Sequence, residues 1–356
     1  MTAYRAEGLE DCRLQVFVLL TSSPLPTDTG KRVTPNCVML YDVSNSLTER
    51  FLAGDERALA RAITLVETGN PAGQALLKEV RPHAGQARII GITGAPGSGK
   101  STLADRLIGV ARERGKRVAV AAVDPTSPFS GGAILGDRIR MTRWHQDEGV
   151  FIRSMATKGH LGGLAAATLQ VVALLDAYGF DFVFIETVGV GQSEVDVVQV
   201  ADTTLLVLTP GQGDGVQAFK AGIMEIADVF AINKFDLPGG GRLKREVRAA
   251  LELSHPAEGD WQPPIQETTA SKNTGISELF EQLDVHHAHL EETGDLAQTQ
   301  RRRTRFEISA LLTEQLRRAL SQQEDSFVDA VLQGETTPTE AVKKLLEQGE
   351  DKVANS

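Results

Sequence analysis

A glycine-rich stretch, GAPGSGKST, carries residues whose types and spacing suit the binding of phosphate. It fits the pattern G-x-x-x-x-G-K-S and lies between an apolar run and a helical pattern, as a phosphate-binding loop requires. Its glycines let backbone N–H groups curve around phosphate oxygens, and the helix that follows directs the positive end of its dipole at the same anion. We expect Lys100 to reach the β- and γ-phosphates and to serve catalysis, and the Ser101 hydroxyl to bind Mg²⁺. The nucleotide-binding residues predicted in this loop are Gly94, Ala95, Pro96, Gly97, Ser98, Gly99, Lys100, Ser101 and Thr102.

Two later loops indicate which base is bound. The apolar run DVFAI leads into an N-K-x-D pattern at 233–236, and the segment TTAS at 268–271 follows another short strand pattern. The Asp236 carboxylate can accept hydrogen bonds from the N1 and exocyclic amino groups of guanine, whereas adenine has no such pair of donors. The segment TTAS matches the kind of loop whose backbone amides contact the carbonyl group of guanine. The predicted base-binding residues are Asn233, Lys234, Asp236, Thr269, Ala270 and Ser271, and they favour GTP and GDP over adenine nucleotides.

The segment VDPTSPFSGGAILGDRIRM, residues 123–141, carries two carboxylates in a stretch rich in Pro, Ser and Gly. This composition is typical of a switch whose order depends on nucleotide and metal. Asp124 and Asp137 are therefore candidates for contacts to Mg²⁺ or to the attacking water, and Asp137 is also a candidate catalytic residue. An Asx-turn at Asp124 and a helix N-cap at Asp137 are open alternatives, and neither excludes the functional role.

The stretch ETVGVGQSE, residues 186–194, follows the apolar run FDFVFI and reads as a second switch. Glu186 stands where nucleotide hydrolases often carry an aspartate, and its longer side chain suits a reach to the Mg²⁺ shell or to a water beside the γ-phosphate. Gly189 lets the backbone amide approach that phosphate, because a side chain there would obstruct it. Gln192 is a candidate catalytic residue whose place in the loop stays open, and Ser193 and Glu194 are equally compatible with capping the next helix.

A third loop, residues 209–228, contains Lys220 on a predicted helix. Its ammonium group either faces solvent or pairs with a switch carboxylate, and the sequence does not choose between the two. No obvious arginine finger lies in these loops, so we expect slow intrinsic hydrolysis, with Arg138, Arg140 and Arg143 as the possible exceptions.

Seven apolar runs between residues 88 and 270 alternate with helical patterns and must position these loops. They are RIIGITG, RVAVAAVD, VFIRSM, FDFVFIET, TTLLVLT, DVFAINK and IQETTA. Strands buried on both faces lack polar alternation, so the series predicts an α/β, P-loop NTPase fold with a mainly parallel, doubly wound sheet. A capping-box pattern places a first N-terminal helix at Ser46, and Leu59, Ala62, Ile63 and Val66 mark one face of a second.

The chain divides into four predicted regions: an atypical extension over 1–43, N-terminal helices over 44–86, a P-loop domain over 87–295, and a C-terminal helical arm with a tail over 296–356. In the arm, Ile308, Leu312, Leu316 and Leu320 recur every fourth residue, and Phe327, Val328, Val331 and Leu332 indicate a further short helix. So much apolar surface requires a partner, either the N-terminal helices or a second subunit. The run RRRTR at 301–305 is interpreted as a solvated face.

Composition narrows the function classes. The chain has 356 residues, a formal net charge of -10 and 41% hydrophobic residues, which argues for a large globular domain and against broad binding to nucleic acid or to an anionic membrane. Both cysteines, Cys12 and Cys37, lie in the first forty residues, so a disulfide framework is not indicated. No run of about 18 apolar residues is present. We expect a cytoplasmic protein that works with small molecules and protein partners.

In this order, GAPGSGKST, VDPTSPFSGGAILGDRIRM, RSMATKGHLGGLA, ETVGVGQSE, GDGVQAFKAGIMEIAD and NKFD resemble the GTPase chaperones of adenosylcobalamin-dependent acyl-CoA mutases, the MeaB/ArgK-type family. The resemblance runs from about Ser46 to Lys344. It implies a homodimer that associates with a cobalamin-dependent mutase, gates adenosylcobalamin loading by GTP hydrolysis and protects the mutase from inactivation. It also implies Mg²⁺ near Ser101, and places the metal and catalytic-water residues at Asp124, Asp137 and Glu186. Lys220 would belong to a switch that responds to the mutase.

Two other functions stay open from the residues. One is a kinase of a lysine/arginine/ornithine transport system, although no phosphoacceptor domain or membrane contact is visible in the sequence. The other is a metallochaperone GTPase, which needs soft or imidazole ligands in groups. The only histidine cluster is HHAH at 286–289, where His286 and His289 lie three residues apart on a predicted helix.

Overall fold

The computed structural model describes residues 43–124, 141–156, 166–187, 193–211, 226–253, 260–320 and 324–344. Within these ranges seven strands form one sheet in the order β3-β2-β4-β1-β5-β6-β7, and every pairing is parallel. The strands are β1 Arg88–Thr93, β2 Val118–Asp124, β3 Val150–Ala156, β4 Phe182–Thr187, β5 Thr203–Leu208, β6 Val229–Ile232 and β7 Ile265–Glu267. All seven apolar runs are therefore strands, and the predicted α/β fold is confirmed.

Ten helices accompany the sheet in the part of the chain that the structure describes. They are α1 Val43–Leu52, α2 Glu56–Glu67, α3 Pro71–Val80, α4 Lys100–Glu113, α5 Ala166–Ala177, α6 Ser193–Val200, α7 Gly240–Leu253, α8 Ile276–Thr293, α9 Asp295–Leu320 and α10 Glu324–Leu332. Residues 338–344 are also helical. No described helix is both long and apolar enough to cross a bilayer.

The central strands bury both of their faces, because helices cover both sides of the sheet. On β1, Ile89 joins the core formed with α1, α2, α3, α5 and α6, whereas Ile90 and Ile92 join the core formed with α4 and α8. On β4, Val183 and Ile185 face the first core and Phe184 faces the second. This alternation of apolar side chains explains why the strands show no polar period in the sequence.

The N-terminal helices pack against one another and against α5, on the side of the sheet that Ile89 faces. In α2 the predicted positions Leu59, Ala62, Ile63 and Val66 are all buried, and the Asp55 side chain caps the helix by accepting from the backbone N–H groups of residues 57 and 58. The predicted N-cap at Ser46 is wrong, because α1 already begins at Val43. Once a helix has formed, adding a residue at its end orders only that residue and gains a hydrogen bond. A helix can therefore extend past a capping pattern and begin earlier in the chain.

The long helix α9 is fixed to the sheet domain by two ion pairs. Arg303 donates through Nε to the Val200 carbonyl (2.5 Å) and through Nη2 to the Asp202 carboxylate, and Arg81 binds the buried Glu307 carboxylate with two hydrogen bonds of 3.1 and 2.8 Å. The interpretation of residues 301–305 as a solvated face is therefore wrong for Arg303, whose side chain is 17% exposed against 4% for Asp202. The buried Asp202 carboxylate, in the turn between α6 and β5, draws this one arginine inward.

Candidate nucleotide-binding site

The phosphate-binding loop joins β1 to α4 at the carboxyl edge of the sheet, beside its central strand. Gly94 and Gly99 have φ angles of 140° and 93°. A Cβ atom at Gly94 would lie 2.2 Å from the Val207 carbonyl oxygen, and one at Gly99 would lie 2.4 Å from Nδ2 of Asn233. Both positions therefore require glycine for backbone angle and for space. These contacts hold the loop against β5 and the N-K-x-D loop.

Lys100 and Ser101 open helix α4, where the N–H groups and the helix dipole favour an anion. Lys100 is buried, and its ammonium group donates to the carbonyl oxygens of Gly94 and, at 3.2 Å, Ala95. The Ser101 hydroxyl donates to Oε1 of Glu186 at 2.5 Å. The structure thus brings together the lysine, serine and glutamate that the sequence placed at the phosphates and the metal.

Glu186 is buried near the end of β4, where its backbone is paired with β1 on one side and β2 on the other. The Ser101 hydroxyl and the Glu186 carboxylate supply hard oxygen donors, which are the ligands that Mg²⁺ prefers. A buried carboxylate beside a hydroxyl at a helix N-terminus therefore fits a divalent cation bound with phosphate. The described residues thus fit the magnesium predicted from the sequence.

Asn233 connects the phosphate-binding loop to the base-binding loops. Its Nδ2 donates to the Ser98 carbonyl (2.9 Å), and its Oδ1 accepts from the Ala270 N–H (3.1 Å) and the Thr268 hydroxyl (3.4 Å). Lys234, which has a φ of 55°, donates to the Gly97 carbonyl at 2.8 Å. Asn233 is buried and its amide is engaged within the protein, so it orders the three loops around the nucleotide position.

A cavity of about 200 Å³ lies between these loops. Asp236 and Ser271, two of the predicted base-binding residues, line the cavity, whereas Thr269 is buried and pairs its backbone with Thr274. Leu237, which was not predicted, adds an exposed apolar surface to the cavity wall, as suits contact with a purine ring. The residues lining the cavity are Gly99, Thr102, Asn233, Lys234, Asp236, Leu237, Ala270 and Ser271.

The charge of Asp236 is stabilised by a neighbour that the sequence analysis also missed. Lys272 places its ammonium group 2.9 Å from Oδ2 of Asp236, and this hydrogen bond holds the pKa of the carboxyl below its usual range. The carboxylate is therefore ionised at neutral pH, the form that accepts hydrogen bonds. Leu237 and Lys272 each follow a predicted base-binding residue directly, so their position in the two motifs was the available signal.

Several predicted residues lie outside what the structure describes. Asp137, Gly189, Gln192 and Lys220 fall in the gaps, as do Arg138 and Arg140, and for Asp124 only the backbone, at the end of β2, is described. Arg143 is described and binds Asp105 of α4 through Nε at 2.8 Å while stacking on the Trp144 ring. Arg143 is thus engaged in contacts with helix α4 and its own neighbour.

The histidine cluster is a packing feature of the opposite edge of the sheet. His286 is buried, with Nδ1 hydrogen-bonded to the Thr203 hydroxyl at 2.8 Å, and the Trp261 ring lies between the rings of His286 and His289. Among the described residues no group of three His, Cys, Asp or Glu side chains is placed to hold a metal. The metallochaperone hypothesis gains no support from this cluster.

Comparison with known proteins agrees with a nucleotide-binding site. The family model described as methylmalonyl-CoA mutase-associated GTPase MeaB matches residues 59–325, about three quarters of the chain. A putative GTPase of Pyrococcus horikoshii is 49% identical over 312 residues, which cover 85% of this chain and 98% of that protein. The mitochondrial methylmalonic aciduria type A homolog of Caenorhabditis elegans is 36% identical over 280 residues, covering 72% of this chain and 69% of that protein. The crystal structure of a LAO/AO transport system kinase is similar with a TM-score of 0.64 and 26% identity, covering 88% of this chain and 99% of that one.

Proposed function

Because this chain belongs to the MeaB family of methylmalonyl-CoA mutase-associated GTPases, we propose that it is a GTP-dependent chaperone of an adenosylcobalamin-dependent acyl-CoA mutase. The chain is a P-loop GTPase, and the chaperone role is proposed in addition to this activity. The observation that carries it is the family match over residues 59–325, which spans the sheet, the loops and all of helix α9. The name of the Caenorhabditis elegans relative, which refers to methylmalonic aciduria, agrees with a mutase client.

In this proposal the base and the phosphates are held by different loops. Asp236 accepts the guanine N1–H and amino group, and the Ser271 N–H donates to the 6-oxo group. Lys100 exchanges its contacts with loop carbonyls for contacts with the β- and γ-phosphates. Pairing with phosphate oxygens stabilises the charge that develops there during hydrolysis.

Mg²⁺ would be held by Ser101 and Glu186, with Asp124 and Asp137 as further candidates. When bound, the ion neutralises phosphate charge and orients the γ-phosphate. Glu186 is buried and already hydrogen-bonded to Ser101, so its carboxylate keeps a fixed orientation toward this position. Gln192 and the Gly189 amide are proposed to act on the attacking water and the γ-phosphate from the neighbouring loop.

We infer that hydrolysis serves to time the transfer of adenosylcobalamin to the mutase and to protect the loaded enzyme. Lys220, on the third predicted switch, is proposed to respond to the client. The apolar arm is proposed to join two copies of the chain into a homodimer in the cytoplasm.

Co-purification with a cobalamin-dependent mutase tests the chaperone role. Methylmalonyl-CoA mutase is the first client to examine, and each of the GDP-bound and GTP-bound states should be presented to it. We expect association in at least one nucleotide state and an increased rate of GTP hydrolysis when the mutase is present. The absence of both effects, with intact GTP hydrolysis by the chain alone, would reject the chaperone role and leave the GTPase assignment in place.

A further inference from the structure

Arg106 lies on helix α4, about one turn after the last predicted phosphate-binding residue, Thr102, and reaches the base-binding loop from the helix. Its Nε donates to the Ala270 carbonyl oxygen at 3.1 Å. Ala270 begins the short 3-10 turn Ala270–Lys272, and its carbonyl also accepts from the Asn273 N–H at 3.2 Å. Arg106 is therefore the side-chain donor in a pair of donors that fixes the direction of one carbonyl group.

The peptide that Arg106 contacts is the one that carries the Ser271 N–H. The Ala270 carbonyl and the Ser271 N–H belong to one planar trans peptide unit, so the two groups point in opposite directions. A donor that holds the carbonyl toward α4 thereby directs the N–H away from α4. Ser271 lines the cavity, as do Asp236 and Leu237.

The preceding peptide is held from the other side. The Ala270 N–H donates to Oδ1 of Asn233 at 3.1 Å, and Asn233 donates to the Ser98 carbonyl of the phosphate-binding loop. The base-binding turn is thus attached at two successive peptide groups, one through Asn233 to the phosphate-binding loop and one directly to helix α4. Both attachments therefore lead to the segment proposed to bind the phosphates, the phosphate-binding loop with helix α4.

We propose that Arg106 is a positioning residue for guanine recognition, which orients the Ser271 N–H toward the 6-oxo group of the base. This inference rests on the proposed binding of guanine between Asp236 and the 269–271 loop. Arg106 acts through the Ala270 peptide and does not itself contact the base. The role of Arg106 concerns only the 6-oxo oxygen of guanine, because Asp236 binds the N1–H and the amino group without any contribution from Arg106.

That specificity defines the test, which compares three nucleoside diphosphates in isothermal titration against the full chain. GDP has both the 6-oxo and the 2-amino group, inosine diphosphate lacks the 2-amino group, and 6-thio-GDP replaces the 6-oxo oxygen by a weakly accepting sulfur. For Arg106→Met we expect affinity for GDP and inosine diphosphate to fall about fivefold each, the scale of one hydrogen bond, and affinity for 6-thio-GDP to fall less than twofold. Arg106→Lys, which keeps a donor, should show a smaller loss with the same selectivity, and it carries the comparison if the methionine variant does not fold.

Arg112→Met is the matched control, because Arg112 lies on the same helix but binds Asp147 and the Lys116 carbonyl, away from the base loop. It should leave all three affinities within twofold. Equal losses for the three nucleotides in Arg106→Met, or no loss for GDP, would overturn the inference. If the wild-type chain does not prefer GDP to ADP, the proposed guanine site itself is wrong, which is a separate outcome.

Discussion

At the site the decisive contact is the hydrogen bond between Ser101 and Glu186, which joins the start of α4 to the end of β4. Two elements that are 85 residues apart in the chain thereby present a hydroxyl and a carboxylate to the same position. In phosphoryl transfer such groups position metal and water, and they contribute more to turnover than to the affinity for the nucleotide. Affinity and turnover should therefore separate when Glu186 is changed.

Glu186→Ala should leave GTP affinity within about tenfold, roughly 1.4 kcal/mol, and slow hydrolysis by about 100-fold or more. Glu186→Gln is the companion variant, since it keeps an acceptor for the Ser101 hydroxyl and removes the charge. We expect its turnover to fall as well, because the charge is what attracts the cation. Single-turnover hydrolysis and equilibrium titration measure the two quantities, and unchanged turnover in both variants would remove Glu186 from the catalytic residues.

His286 is a residue whose effect appears in stability. Burial lowers its pKa to about 4, and Thr203, Trp261, His289 and Asp228 surround it, with the Asp228 carboxylate 3.6 Å from Nε2. A native pKa below the unfolded value of about 6.5 means that the unfolded chain binds the proton more readily. The contribution of His286 is therefore lost as pH falls from about 6.5 to about 4.

Comparing His286→Gln with the wild type tests this effect, and Asp228, whose pKa burial raises to about 6, acts in the opposite direction. Between pH 7.5 and pH 5.5 the variant should gain about 1 kcal/mol in free energy of unfolding relative to the wild type. Urea unfolding at the two pH values measures the change. His289→Gln, which keeps the buried imidazole of His286, serves as the control and should show no comparable gain.

Among the elements, the strands were the easiest to predict, whereas the ion pairs that attach helix α9 were not predicted. The apolar run FVFI in β4 is not interrupted by polar residues, because both faces of the strand are buried. Such a strand can therefore be recognised directly in the sequence. The loops predicted to bind phosphate and base follow the ends of strands β1, β6 and β7, so the sequence could locate them from the strand pattern. Arg106 belongs to no motif, because its contact with the Ala270 carbonyl depends on a neighbour 164 residues away that only folding brings close.

Arg303 on helix α9 is another residue whose role could not be predicted from the sequence. It stands in a run of exposed cations, and its partner Asp202 is 101 residues away in the chain. The Asp202 carboxylate also accepts from the Ile89 N–H at 2.9 Å, which places it at the start of the central strand. Burial raises the pKa of Asp202 and the charge of Arg303 counteracts this rise. The pair therefore attaches α9 to the centre of the sheet.

Arg303→Met should lower the free energy of unfolding by about 3 kcal/mol, because it leaves a buried carboxylate without its cation. Arg305→Met, at an exposed position on the same helix, should change it by less than about 0.5 kcal/mol. The double variant Asp202→Asn/Arg303→Met should recover part of the loss, since no unpaired charge is left. Urea denaturation measures all three, and equal effects of the two arginine variants would contradict the anchoring role.

On the scale of the whole molecule, the described part of the arm exposes several large apolar side chains. The ion pairs at Arg303 and Glu307 fix one part of α9, and beyond them Ile308 and Leu312 are 60% and 56% exposed. Val328 and Leu332 on α10 are exposed as well. The sequence predicted a partner for these side chains but left open whether it was the N-terminal helices or a second subunit. The exposure of these residues in the single chain favours the second subunit.

The double variant Ile308→Glu/Leu312→Glu should therefore convert a dimer into a monomer, because two charges would be buried without partners at the interface. Sedimentation equilibrium should show a dissociation constant raised by about 100-fold or more, whereas basal GTP hydrolysis should stay within twofold, since the arm lies outside the nucleotide site. Leu253→Glu provides the matched control, because Leu253 is 76% exposed on α7 and is equally apolar. A monomeric wild-type chain, or equal dissociation in the Leu253 variant, would show that the arm does not form the dimer. Retained dimerisation in the arm variant would instead assign the contact to another surface.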